Sequence, residues 1–254
     1  DWAVHVQWEG LVARALESRG ARVTVATCGG GLETCDRVNV HEGPPPPCRT
    51  CTRYTGAALA AHSLTVETLA PDFGAADWPE LDGLTVTELR TVEADGLPLG
   101  ALVDVPVKWF LCSAALDTDP LAASTYRAFL RSARRIARSV RALVDRARPD
   151  VVLLLNGMFL FEAVAGAIAR EQGIRVVTYE RAQIDGLLFF AHDEPASRYA
   201  SEERWKLGCD EPLTPAQERE LDGYLADRRH GLRSFVQIWP SPQFDPKGGT
   251  EVPG

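Results

Sequence analysis

Four of the six cysteines fall between positions 28 and 51, in the order Cys28-x6-Cys35-x12-Cys48-x2-Cys51. A Cys-x-x-Cys pair can grip a metal through both sulfurs, and two further thiolates complete a tetrahedral set. Such a closed site would be structural zinc, stapling a long loop that has no core of its own. Pro44 to Pro47 stiffen the approach to the last pair, and His41 inside the loop could replace one sulfur. An iron–sulfur cluster is the alternative, although the x6 and x12 gaps match no common ferredoxin spacing. Free thiols or a disulfide are the third reading. No histidine sits in an obvious place to activate a thiol for catalysis. Cys112 and Cys209 stand alone and read as core or surface thiols.

A second set of reactive residues follows apolar runs. Asn156 follows Leu155, Glu180-Arg181 follows Tyr179, and His192-Asp193 follows Phe190-Ala191. If these runs are strands of one parallel sheet, the three groups converge past its carboxyl ends, where α/β folds collect their chemistry. Glu180 could act as a general base if burial raised its pKa, and His192 could move protons. Arg181 could hold a phosphate or carboxylate with its planar fork, and Asn156 could hydrogen-bond sugar-like hydroxyls. His5 and Glu9 lie one helical turn apart near the same edge and could contact substrate. The plainer readings stay open: Glu180-Arg181 as an ion pair, Asn156-Gly157 as a turn, and His192 as a cap on a carbonyl.

The elements that would position these groups are legible from periodicity. Apolar residues at helical spacing from Trp2 to Arg19, ended by Gly20, predict a helix, and RVTVAT (22–27) predicts a strand. Gly29-Gly30-Gly31 is a poor dinucleotide fingerprint and reads as a tight turn that lets Cys28 and Cys35 face each other. A helix is expected over Arg53–His62, a short strand over Thr65–Leu69, and a helix over Leu97–Cys112 bent at Pro106. Asp119-Pro120 opens the longest helix, which runs to about Arg148. Its arginines read as a solvated face. Val151–Leu155 predicts a strand buried on both faces. A helix over Phe159–Gln172 and a strand over Ile174–Tyr179 complete a βαβ unit. Short helices are expected over Arg198–Leu207 and from Pro215 to about His230. The segment 241–254 has linker composition.

The chain has 254 residues, 45% hydrophobic and 24% charged, with net charge −8. That is globular composition, and the acidic balance argues against nucleic acid as a partner. No apolar run reaches the length of a membrane span, and no signal peptide is visible. Cysteines without a secretory signal suggest a reducing, cytoplasmic setting. With Met158 as its single methionine and Asp1 as its first residue, the chain is read as starting inside a longer polypeptide or after processing.

The stretch HVQWEGLVARALESRGARVTVATCGGGLETCD (5–36) resembles the start of bacterial capsule-polysaccharide and related GT-B glycosyltransferases. The stretch RPDVVLLLNGMFLFEAVAGAIAREQGIRVVTYERAQIDGLLFFAHDEPA (148–196) is similar to the same group. The resemblance implies a Rossmann-like, doubly wound parallel sheet over residues 1–240, the amino-terminal and acceptor-side half of a GT-B enzyme, with the cysteine-rich insertion at 28–51. It implies a sugar acceptor as partner and a nucleotide-sugar donor held mainly by a second half, supplied by further chain or by an oligomer. It places Glu180, Arg181 and His192 in the cleft, with Glu180 or His192 as the base. A non-catalytic, metal-stapled binding domain is the alternative, and an iron–sulfur or thiol redox enzyme the third.

Overall fold

The computed structural model describes residues 3–42, 46–69, 73, 77–182, 187–198 and 200–230, and of Ala3 and Val4 the backbone alone. The expected linker at 241–254 lies outside the described residues. The chain divides into a main unit, residues 2–182 with 188–199, and a second unit made of 183–187 and 200–254.

In the main unit the order is α1 (Ala3–Glu17), β1 (Val25–Thr27), α2 (Cys48–Ala61), β2 (Val66–Thr68), α3 (Val86–Arg90), α4 (Leu99–Leu111), α5 (Ala122–Ala147), β3 (Val151–Leu155), α6 (Leu160–Glu171), β4 (Arg175–Arg181) and β5 (Leu188–His192). The second unit holds α7 (Glu202–Gly208) and α8 (Pro215–Arg229). Thr214 and Gln217 form a reciprocal capping box at the start of α8, which satisfies two backbone donors there.

The mixed α/β class is as expected, but the sheet differs from a doubly wound one. Among the described residues the strands form two separate sheets, β1–β2 and β3–β4–β5. β1 and β2 are parallel and three residues each, with Val25 opposite Val66. β3 and β4 lie side by side in parallel, Val151 opposite Arg175, with α6 between them in sequence. β3 is an edge strand and mostly half-buried, not covered on both faces. β5 runs antiparallel to β4, with Val177 opposite His192 and Arg181 opposite Leu188.

Helices build the core. Tyr126, Phe129, Leu130, Ala133 and Ile136 of α5 are fully buried against Leu99, Val103 and Val107 of α4 and Leu160, Val164 and Ile168 of α6. The apolar stripe that makes α5 helical is therefore the stripe that organises the unit. Tyr126 donates its hydroxyl to the Gly100 carbonyl at 2.7 Å. Gly100 lets α4 approach α3 closely: a Cβ there would fall 2.4 Å from the carbonyl oxygens of Leu89 and Arg90. Gly100→Ala is expected to cost about 1–3 kcal/mol, because backbone must move. Urea denaturation compared with the unsubstituted chain would show it as a lower midpoint.

The arginines of α5 are not simply solvated. Arg131 forks onto Glu33 at 2.7 and 2.8 Å, and Arg135 donates to the Gly31 carbonyl at 2.9 Å. Between them Ser132, fully buried, donates to the Thr34 carbonyl at 3.1 Å. One helix face thus holds the loop that follows β1. That loop has a packed side of its own, with Leu32, Thr34, Asp36 and Val38 all buried. The expectation of a loop without a core is corrected: alternate residues turn inward against α5 and α6.

Candidate functional site

The cysteine loop and the start of α2 enclose a cavity of about 330 Å³. Cys28, Cys35, Cys48 and Cys51 all line it, together with Asp36 and Glu162. They arrive by three routes. Cys28 leaves the carboxyl end of β1, Cys35 sits in the loop held by α5, and Cys48 and Cys51 occupy the first turn of α2. The expected helix thus begins earlier than Arg53 and takes in the Cys-x-x-Cys pair. Gly30 allows the close approach: at φ 89° it would place any Cβ 3.3 Å from that of Cys48, and a positive φ suits glycine.

The thiols have donors around them. The Gly30 amide donates to Cys28 Sγ at 3.3 Å, and the Arg37 amide donates to Cys35. The start of α2 carries no side-chain cap and no acidic residue in its first turn. Its positive end therefore remains beside Cys48 and Cys51. Burial nevertheless pushes the Cys28 thiol up to about 11 and the Cys35 thiol up to about 12. A cation would be needed to make thiolates of these two at neutral pH. All six cysteines are free of disulfides. Among the described residues, no three His, Cys, Asp or Glu side chains are grouped so as to hold a metal ion.

A second cluster lies at the carboxyl ends of β3 and β4. Tyr179 donates its hydroxyl to Glu9 Oε1 at 3.0 Å, which joins α1 to β4. The His5 ring packs edge-on to Trp8 at 5.6 Å and lies 6.2 Å from Tyr179. The Arg181 guanidinium sits over the Trp8 ring at 5.4 Å. Buried Asn156 donates through Nδ2 to Glu180 Oε2 at 3.3 Å and accepts the Met158 amide on Oδ1 at 3.0 Å. Asn156 is thus both a turn residue and a partner of Glu180. His5, Glu9, Asn156, Glu180 and Arg181 are brought to one edge as expected.

His192 is not. Antiparallel pairing puts it opposite Val177, about 10 Å along the strand from Glu180 at strand rise, so the expected three-way convergence is corrected to two. His192 is exposed. Its neighbour Asp193 accepts the Val176 amide at 3.2 Å, near the amino end of β4. The signal was in the connection: only residues 182–187 separate β4 from β5, whereas a parallel return needs a crossover of a dozen residues or more.

Two carboxyls missed in the sequence link the clusters. Buried Asp36 accepts the first amide of α6, that of Leu160, at 2.6 Å, and burial raises it to about 6. Glu162 lies two residues further on, in the first turn of α6, half-buried on the cavity wall. Burial, with Asp36 and then Glu9 adding repulsion, raises it to about 8. Burial also raises Glu9 to about 6, against the opposing pull of the Tyr179 hydroxyl. His5 is lowered to about 4 by burial and by the charge of Arg181. The available sequence signal for Glu162 was one acid in the apolar run FLFEAVAGAIA (159–169).

Comparison with family models, with curated proteins and with solved structures found no match. Among the described residues no helix is long and apolar enough to cross a membrane.

Two expectations follow from this geometry. Glu162 and Glu9 hold their protons more tightly folded than unfolded, so their contribution is complete below the ordinary carboxylate range and is lost as pH rises through about 6 for Glu9 and about 8 for Glu162. The Tm of metal-free protein should therefore fall between pH 5 and pH 8. Glu162→Gln should flatten the fall and add about 1–3 kcal/mol at pH 8; a pH series of thermal melts that is the same for both chains would contradict this. Separately, Cys48→Ser should lower the Tm if a bound ion ties the loop to α2. An unchanged melting curve, with no metal by elemental analysis, would remove the staple.

Proposed function

We propose that this chain is the acceptor-side half of a sugar-transferring enzyme of GT-B type. The observation that carries the reading is the junction of α1 with the carboxyl ends of β3 and β4. There Tyr179 and Glu9 are hydrogen-bonded, Glu180 is anchored by Asn156, and Arg181 lies over Trp8. Aromatic faces with carboxylates at the same strand end suit a sugar, which presents apolar C–H faces and a rim of hydroxyls. The crevice beyond parallel strand ends is where α/β folds place ligands.

In this reading Glu180 takes the proton from an acceptor hydroxyl as that oxygen attacks the anomeric carbon of the donor. The Asn156 amide at 3.3 Å and the Arg181 backbone N–H at 2.8 Å each donate to one Glu180 oxygen and orient the carboxylate, whose remaining lone pairs take the proton. Arg181, its guanidinium over the Trp8 ring, would hold the leaving diphosphate. Glu9, raised by burial towards neutrality, supplies a second acceptor for sugar hydroxyls. The nucleotide-sugar is carried mainly by a second half, and His192 takes no part in the base chemistry.

The resemblance over residues 5–36 and 148–196 supports the same class. The cysteine cavity favours the second reading, a metal-stapled binding domain without chemistry, because four thiols and a cavity need no substrate. The two readings separate in one experiment. Assayed with a panel of nucleotide-sugars and saccharide acceptors in the presence of the proposed second half, Glu180→Gln is expected to lower turnover by about 10²–10⁴-fold while the fold is retained. Full turnover in that variant would exclude Glu180 as the base. Saccharide binding with no transfer by the unsubstituted protein would favour the binding domain.

A further inference from the structure

We propose that Cys28, Cys35, Cys48 and Cys51 hold an iron–sulfur cluster in the cavity between the carboxyl end of β1, its following loop and the first turn of α2. The inference is independent of sugar transfer.

Convergence is the first observation. Four thiols separated by up to 23 positions, from residue 28 to residue 51, line one cavity of about 330 Å³. They come from a strand end, a packed loop and a helix start, so chance adjacency in sequence accounts for Cys48 and Cys51 alone. The loop that carries Cys28 and Cys35 is fixed independently, by Arg131, Ser132 and Arg135 of α5 and by the Asp36 contact to Leu160. The ligands are therefore held in place before any ion binds.

The donors around the sulfurs are the second observation. A backbone amide donates to Cys28 and another to Cys35, while the uncapped start of α2 lies at Cys48 and Cys51. N–H···S bonds and dipoles of this kind stabilise cluster thiolates and set their potentials.

The size of the cavity distinguishes the two kinds of metal. A single zinc, with Zn–S about 2.3 Å, draws four sulfurs to about 3.8 Å from one another. Here the four thiols line a cavity of about 330 Å³, which has room for more than one ion. A cluster puts iron and sulfide in the middle and keeps its cysteines apart, which is the arrangement a ring of thiols provides. The unusual x6 and x12 gaps follow from the ligands' origins: ferredoxin spacings belong to ligands supplied largely by one loop, and these come from three elements.

The test is the metal content of the chain itself. Expressed and purified without oxygen, then treated with ferrous iron and sulfide, the chain is expected to hold about four iron and about four sulfide. It should show a broad visible absorption that bleaches with dithionite. Cys28→Ser, Cys35→Ser, Cys48→Ser and Cys51→Ser should each lose most of the iron, whereas Cys112→Ser and Cys209→Ser should keep it. A colourless protein with about one zinc per chain overturns the proposal. So does a protein that takes up no iron, or iron uptake indifferent to the four substitutions. Should the serine variants fail to fold, the iron, sulfide and zinc content of the unsubstituted chain decides alone.

Discussion

The hydrogen bond from the Leu160 amide to the buried carboxylate of Asp36 ties the two reactive regions together. Asp36 belongs to the cysteine loop, and Leu160 begins α6. One contact therefore pins the middle of the loop, satisfies an orphan donor of the helix and orients the turn that carries Glu162. A buried bond to a charged acceptor is worth about 1.5–3 kcal/mol, and either partner left alone would cost a comparable amount. The helix needs an anion at its start, and the carboxylate needs a donor in a place without water.

The carboxyls assembled around that contact are a burden on the fold. Asp36, Glu162 and Glu9 are all raised, chiefly by burial and for Glu162 also by mutual repulsion. A protein selected for stability alone would replace Glu162 with an apolar side chain, as its neighbours on α6 already are. Acids retained in such surroundings mark functional sites more often than structural ones. Glu162 stands between the thiol cavity and the Glu9–Tyr179 pair, and its repulsion by both Asp36 and Glu9 couples the charge state of one region to that of the other. A cation among the thiols would relieve part of this strain.

The reach of α5 explains how so small a pair of sheets can present a site. In a doubly wound fold the sheet is the platform and the helices cover it. Here the fully buried side chains of α5 meet α3, α4 and α6, and the same helix sends Arg131, Ser132 and Arg135 to the cysteine loop. The Arg131–Glu33 ion pair is partly exposed and weak by itself. The buried Ser132–Thr34 bond and the inward-facing Leu32 and Val38 do more to hold the loop, since both act where water is excluded.

Local pattern alone determined most of the elements. The stripe from Leu121 to Val144 had to be a helix, the run Val151–Leu155 a strand, and Gly20 and Gly173 the ends of helices, because periodicity and capping act within a few residues. The grouping of His5, Glu9, Asn156, Glu180 and Arg181 was legible for the same reason: each sits at an element's end whose direction the βαβ order implies. Tertiary structure decided the rest. The split into two sheets, the reversal of β5 that carries His192 away, and the burial of Asp36 and Glu162 depend on which surfaces meet. A side chain's hydration, and with it its charge and chemistry, is set by neighbours from distant segments, and no local pattern contains them.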